Sequence, residues 1–237
     1  MTREGAEPKQ LALSIALKDD CTLDTFYPGD NLEVLAQIQK MGKGQGEQFI
    51  FLWGREGVGR THLLQGACHF AVRGGLTALY LPLGNVRKQD PAILFDKLES
   101  LALVCLDDLD SIVGEPLFEE ALFYLFNRLR AADRRLIIAA SAPPKNLLIK
   151  LADLQSRLAW GVTYQIQALS DDDLLTALQL RAKQRGLALP QEVGAFLIKR
   201  SKRSMPELYG LLEKLDNASL AQQRRLTVPF VKTVLGL

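Results

Sequence analysis

GREGVGRT, residues Gly54–Thr61, lies one substitution away from a phosphate cradle. The phosphate-binding loop reads G-x-x-x-x-G-K-[ST]: its glycines let backbone N–H groups close round an anion, its lysine reaches the outer phosphates, and its hydroxyl faces Mg²⁺. Gly54, Gly59 and Thr61 are in register, and Arg60 stands in the lysine's place. A planar guanidinium keeps the positive charge but is bulkier than an ammonium on a flexible stem. It can grip β-phosphate oxygens and fits less easily between the β and γ groups. Taken alone, the same eight residues could be a glycine turn without a ligand.

The flanking residues supply the context such a loop requires. QFIFLW (48–53) reads as a buried strand, and a helix is expected from Thr61 to about Arg73, closed by Gly74 and Gly75. A strand, a glycine turn and a helix N-terminus together surround a β-phosphate with backbone donors. The expected nucleotide contacts here are Arg55, Glu56, Gly57, Val58, Gly59, Arg60, Thr61 and His62. His62 is included for its position at the loop; its ring, like that of His69, is read as structural or solvent-facing, because no matching metal ligands accompany it.

Further along, short apolar runs alternate with amphipathic ones. TALYLPL (77–83), LALVCLDD (101–108), RLIIAAS (135–141) and VTYQIQAL (162–169) read as strands. PAILFDKLES and EPLFEEALFYLFNRLRAAD read as helices between them. Such alternation implies a parallel sheet with helices on its faces. LALVCLDD ends in acids, the pattern that holds Mg²⁺ through water. Asp107 is the metal-side candidate opposite Thr61, and Asp108 follows where many such ATPases carry a catalytic glutamate. The plainer alternative is a pair of acids at a strand end. Ser141 could be a polar sensor on the neighbouring strand, and Cys105 is read as core.

After Ser170 the character changes. SDDDLLTALQLRAKQRG opens with a serine cap and three acids at the positive end of a helix. PQEVGAFLIKRS, SMPELYGLLEKLDNASLAQQR and TVPFVKTVLGL follow as three more helices. The expected organisation is a flexible tail over 1–19, an α/β core over 20–167 and a helical domain over 168–237.

Composition sets outer bounds. Hydrophobic content of 48% and charged content of 24% are ordinary for a globular protein. Three cysteines without a C-x-x-C pair, and two histidines, argue against zinc and for a reducing compartment. No early stretch resembles a signal peptide and no apolar run reaches about 18 residues, so a cytoplasmic protein without a membrane span is expected. Net charge of +2 does not mark a nucleic-acid binder. Lys199, Arg200, Lys202, Arg203 and the pair Arg224–Arg225 could contact phosphates, although such runs are more often solvated helix faces.

One long segment is distinctive. LADLQSRLAWGVTYQIQALSDDDLLTALQLRA (151–182) carries an S-R-hydrophobic-x-W-G run formed by Ser156, Arg157, Trp160 and Gly161. It resembles the end of the AAA+ core in DnaA, the bacterial replication initiator. DTFYPGDN (24–31) resembles the start of that core, where Tyr27 and Pro28 would pack near the nucleotide base. The resemblance covers about residues 20–237. It implies an AAA+ P-loop core, with a parallel sheet flanked by helices, followed by a small all-helical lid.

Within that family the sequence is most similar to the short homologues of the Hda kind, which promote regulatory inactivation of the initiator. A full initiator also carries an N-terminal assembly domain and a C-terminal DNA-reading domain, and a chain ending at TVPFVKTVLGL is expected to lack both. The resemblance implies a bound nucleoside diphosphate, ADP, with Mg²⁺ a possible companion. It implies that Arg157 acts in trans as an arginine finger on ATP held by DnaA, so that the chemistry belongs to the partner's site and the chain is not a stand-alone enzyme. QLALSI looks like the peptide with which bacterial proteins bind the DNA polymerase sliding clamp, with Gln10, Leu11, Leu13 and Ile15 as its contacts. The competing reading of LALSIAL is an edge strand of the body. DNA would then be met indirectly through the clamp, and self-association is open, since AAA+ surfaces are built to meet one another.

The sequence departs from the family pattern at three places. Arg60 replaces lysine, and Pro206 occupies the place of a nucleotide-sensing arginine in SMPELYGLL (204–212), where Arg203 is the nearest substitute. Asp153 stands where the initiator often has another arginine. The first two bear on hydrolysis by this chain more than on nucleotide binding. A self-contained AAA+ ATPase, such as a helicase loader or a transposition helper, is the alternative function.

Overall fold

The computed structural model describes residues 17–201 and 204–236. The apolar runs form five strands: β1 (Phe49–Trp53), β2 (Ala78–Pro82), β3 (Leu103–Asp107), β4 (Arg135–Ala140) and β5 (Val162–Gln165). They pair in parallel in the order β2-β3-β4-β1-β5. All residues of β3 and β4 are buried, whereas β5 alternates between half-buried and exposed, as an edge strand does.

Successive side chains of a strand point to opposite faces, so one strand feeds two cores. From β1, Phe49 and Phe51 join one cluster and Ile50 and Leu52 join the other. The first cluster is covered by α3 (Leu83–Val86), α4 (Pro91–Leu94), α5 (Pro116–Ala131) and α6 (Ala152–Leu158). The second is covered by α1 (Leu32–Met41) and α2 (Arg60–Arg73). A third cluster is formed by α7 (Asp171–Gln184), α8 (Gln191–Arg200), α9 (Met205–Gln222) and α10 (Val228–Leu235), the helical lid. The protein is therefore a parallel α/β core flanked by helices, with a C-terminal helical domain, as expected.

The structure differs from the sequence reading at one helix and adds detail at two places. PAILFDKLES is not one helix. α4 stops at Leu94, Lys97 turns left-handed at φ 58°, and a 3₁₀ turn follows over Leu98–Ser100. The Arg128 guanidinium explains the break: it donates to the Phe95 carbonyl at 2.7 Å and pairs with Glu99 at 3.0 Å, a tertiary partner that competes with the helical ladder. α1 is an additional helix, not among the elements read from the sequence. Leu17 and Lys18, counted with the tail above, lie along α2: Lys18 N–H donates to Gln65 Oε1 at 2.9 Å, and His69 Nε2 donates to the Lys18 carbonyl at 3.0 Å. Among the described residues no helix is long and apolar enough to cross a membrane.

Candidate nucleotide-binding site

The glycine loop leaves β1 at Gly54 and enters α2 at Arg60. Gly57 and Gly59 adopt φ of 82° and 101°, backbone that only glycine takes without strain. A Cβ at Gly59 would stand 2.9 Å from the Phe26 ring, and one at Gly57 would stand 2.8 Å from Ser204 Cβ. The loop is thus pinched between the segment leading into the core and the first turn of α9. No side chain caps α2, so its first-turn N–H groups face the loop's concavity, as an anion requires.

A cavity of about 530 Å³ opens over this loop. Glu56, Gly57, Gly59, Arg60, Thr61 and His62 form its floor, with Asp108 beside them. Pro206 and Tyr209 contribute from the lid. Arg60 Nη1 is buried with no hydrogen-bond partner, a donor left without an acceptor in a residue that lines the cavity. Pro206 sits in the first turn of α9, capped by Ser204, a position where proline loses no hydrogen bond.

Thr61 and Asp107 meet at the base of the cavity. Asp107 is 1% exposed, and its Oδ2 accepts from Thr61 Oγ1 at 2.7 Å and from the Tyr80 hydroxyl at 2.9 Å. Burial, and then the adjacent Asp107 carboxylate, hold the Tyr80 phenol protonated far above its usual range. Asp108 takes left-handed backbone at φ 54°. Burial and then the Asp107 charge raise its carboxyl above the ordinary range, while Arg60 pulls the other way. No group of three histidine, cysteine, aspartate or glutamate side chains gathers to hold a metal among the described residues. The residues present fit Mg²⁺ only as the magnesium of a nucleotide, which Thr61 and Asp107 would hold.

The remaining expected residues are placed as follows. Tyr27 and Val58 line a small recess of about 30 Å³ next to the main cavity, and the Tyr27 hydroxyl donates to Asp173 of α7 at 3.1 Å. Pro28 acts through its backbone, its carbonyl accepting from Asn31 Nδ2 at 2.9 Å. His62 has a structural task as well as a place on the wall: its Nε2 donates to the Thr22 carbonyl at 2.9 Å, and burial lowers its pKa. Arg55 is exposed and off the cavity wall. Ser141 is also off the wall, with its hydroxyl and N–H both donated to Asp110, at 2.5 and 2.8 Å. Gln10, Leu11, Leu13, Ile15, Lys202 and Arg203 lie outside the described residues.

Arg157 sits at the end of α6, away from its own chain's cavity. Its guanidinium lies 6.0 Å from the centre of the Phe123 ring, and among the described residues it makes no ion pair, with Asp153 or any other acid. The start of α6 is held by buried Glu119, which accepts from the N–H groups of Gly114, Lys150 and Leu151 at 2.7, 3.0 and 2.8 Å. Two of these donors, Lys150 and Leu151, lie at the start of the helix that carries Arg157, and the third ties it to the turn before α5.

Sequence reasoning missed the charged part of the cavity wall: Lys18 and Asp20 from the N-terminal segment, and Arg181, Arg185 and Glu213 from the lid. One signal was available. Arg181 follows Leu174, Ala177 and Leu178 on the apolar face of α7, an arginine where a core residue belongs.

A family model for the bacterial DnaA ATPase domain matches residues 17–165, and one for the Hda lid domain matches residues 171–235. Domain III of the Thermotoga maritima replication initiation protein DnaA superposes with a TM-score of 0.79 at 20% identity, covering 93% of this chain and 98% of that one. AMPPCP-bound DnaA from Aquifex aeolicus gives 0.72 at 24% identity, covering 83% of this chain and 64% of that one. The Thermotoga maritima RuvB Holliday junction branch migration motor gives 0.68 at 17% identity, covering 91% and 71%. At these identities the structural likeness is one of fold.

Proposed function

Since the chain belongs to the bacterial DnaA ATPase family and carries a lid of the Hda kind, we propose that this DnaA-related replication regulator restrains initiation by lending an arginine to nucleotide held by DnaA. The observation that carries the reading is the contrast between its two key arginines. Arg60 lies over the glycine loop with a buried, unpartnered N–H. Arg157 lies outside its own cavity, at the far end of a helix whose start Glu119 anchors, and among the described residues it pairs with no acid. Such a guanidinium is placed for another protein's phosphates, where it would stabilise charge on the transferring group.

In this scheme the chain's own nucleotide is ADP, held as a structural ligand between loop and lid. The loop N–H groups and Arg60 bind its phosphates; Thr61 and Asp107 orient a magnesium ion if one accompanies it. The Gln10–Ile15 peptide docks on the sliding clamp, so that DNA is met through the clamp. Presented there, Arg157 raises phosphate release by DnaA and the chain itself turns over little ATP. AMPPCP bound to a DnaA of the same fold supports the nucleotide part of this reading.

The test is phosphate release from ATP-loaded DnaA in the presence of clamp, DNA and this protein. Stimulation that survives Arg157→Ala undiminished rejects the trans-acting arginine. Fast ATP turnover by this chain alone favours the self-contained ATPase instead.

A further inference from the structure

Two arginines of the nucleotide cavity each hold a buried N–H without a partner: Nη1 of Arg60 in the core and Nε of Arg181 in the lid. Arg181 is the less expected of the two. Its side chain is only 9% exposed, packed so that the guanidinium lies 5.0 Å from the centre of the Tyr209 ring. Its other nitrogens are occupied by one residue: Nη2 pairs with the Asp20 carboxylate and Nη1 donates to the Asp20 carbonyl at 3.3 Å. Asp20 is itself half-exposed on the wall of the same cavity.

A buried guanidinium left partly unsatisfied is costly, and an anion with more oxygens relieves more of that cost. The Asp20 carboxylate reaches the end of the fork and leaves Nε orphaned. A phosphate approaching side-on can accept from Nε and an Nη together, the bidentate geometry that arginine offers best. The cavity that both residues line also contains the loop from Gly57 to Thr61.

We propose that Arg181 is a phosphate ligand of the nucleotide site, and that Asp20 is an internal anion holding its place until the outer phosphate of a nucleoside diphosphate displaces it. The inference rests on the nucleotide reading given above. It adds a lid contact: Arg60 grips the diphosphate from the core and Arg181 from α7, so that the ligand ties lid to core. It also gives the site a way to tell diphosphate from monophosphate, since the outer phosphate is what exchanges with Asp20.

Calorimetry with ADP and with AMP on the full chain and its variants tests this. Arg181→Gln should weaken ADP by about tenfold, the loss of one charge-assisted contact, and leave AMP within about twofold. Asp20→Asn should tighten ADP by removing the competitor. Arg181→Lys, which keeps charge and much of the packing, should lower the ADP-to-AMP preference by a smaller factor, and it serves if Arg181→Gln does not fold. Equal weakening of ADP and AMP by Arg181→Gln would mean that Arg181 only shapes the lid, and the inference fails. It fails too if Asp20→Asn weakens ADP as much as Arg181→Gln does. If ADP binding is lost with Arg60→Ala and untouched by Arg181→Gln, this inference falls and the nucleotide site stands. If the unaltered chain binds neither ADP nor AMP, both fall.

Discussion

Thr61 and Asp107, 46 positions apart in the chain, meet in a hydrogen bond of 2.7 Å at the base of the cavity. The glycine loop and the acidic strand end are thereby one site, with the hydroxyl and carboxylate that could share a magnesium ion already facing each other. Buried Asp107 has a second donor in Tyr80, so its position is held whether or not an ion is present.

Arg60 stands directly over that pair's loop, and its bulk sets the first prediction. ADP should bind more tightly than ATP, because the guanidinium suits β-phosphate oxygens and crowds the γ position. Arg60→Ala should cost about tenfold or more in ADP affinity, and Arg60→Lys should narrow the preference for ADP. Calorimetry with both nucleotides decides it. ATP bound as tightly as ADP by the unaltered chain would contradict this account of Arg60.

Arg157→Ala should leave folding nearly unchanged, within about 0.5 kcal/mol, because a half-exposed arginine without an ion pair among the described residues contributes little. Stimulation of DnaA's ATP hydrolysis should nevertheless be lost. Arg157→Lys should be almost as damaging, since a point charge does not reproduce the fork. Glu119→Ala offers a contrast: it frees two backbone N–H groups at the start of α6 and a third, of Gly114, before α5, and should lower both stability and stimulation.

Deleting residues 1–15 separates the two readings of QLALSI. As a clamp-binding peptide, the segment can be removed with loss of clamp binding and a nearly unchanged melting temperature, and Gln10→Ala or Leu13→Ala should each weaken clamp binding. A large fall in melting temperature would instead mark LALSIAL as part of the body.

Gly161→Ala should destabilise the core by about 1–3 kcal/mol. A Cβ there would lie 2.4 Å from Phe49 Cδ1 and 2.5 Å from the Phe49 carbonyl oxygen, and the backbone oxygen cannot turn aside. Denaturant unfolding measures it; an unchanged midpoint would show that β5 can move outward freely.

Acid should loosen the lid through Asp173. The Ser170 hydroxyl above all holds its carboxyl below the ordinary aspartate range; desolvation opposes it, and the Tyr27 hydroxyl and the Ser170 N–H add to the lowering. The folded chain therefore binds this proton less readily than the unfolded chain. The stabilisation is present above the ordinary aspartate pKa and is lost as pH falls through the lowered one. Ser170→Ala should flatten that acid limb in melts recorded from about pH 6 down to about pH 3. Separately, loss of the Ser170 cap at the start of α7 should cost about 1 kcal/mol at neutral pH.

Local order was largely legible because local physics decides it. FIFLW and LVCLD could only be buried strands, glycines at 57 and 59 could turn left-handed where other residues strain, and Ser170 with its acids could begin a helix. PAILFDKLES misled for the opposite reason: its pattern was helical, and Arg128, far along the chain, took its carbonyl. Ser141 likewise ended a strand as expected, yet Asp110 claimed its hydroxyl.

The strand-loop-helix of the cradle, the acid at the end of β3 and the change to helices at Ser170 are written in local sequence, since each depends on neighbours within one or two turns of chain. Folding, by contrast, brings Arg181 and Asp20, 161 positions apart, into the cavity with Arg60, and leaves Arg157 outside it. Those placements come from how the lid packs against the core and how Glu119 fixes α6. Burial and charge pairing between distant segments set them, and these leave almost no periodicity for a sequence to display.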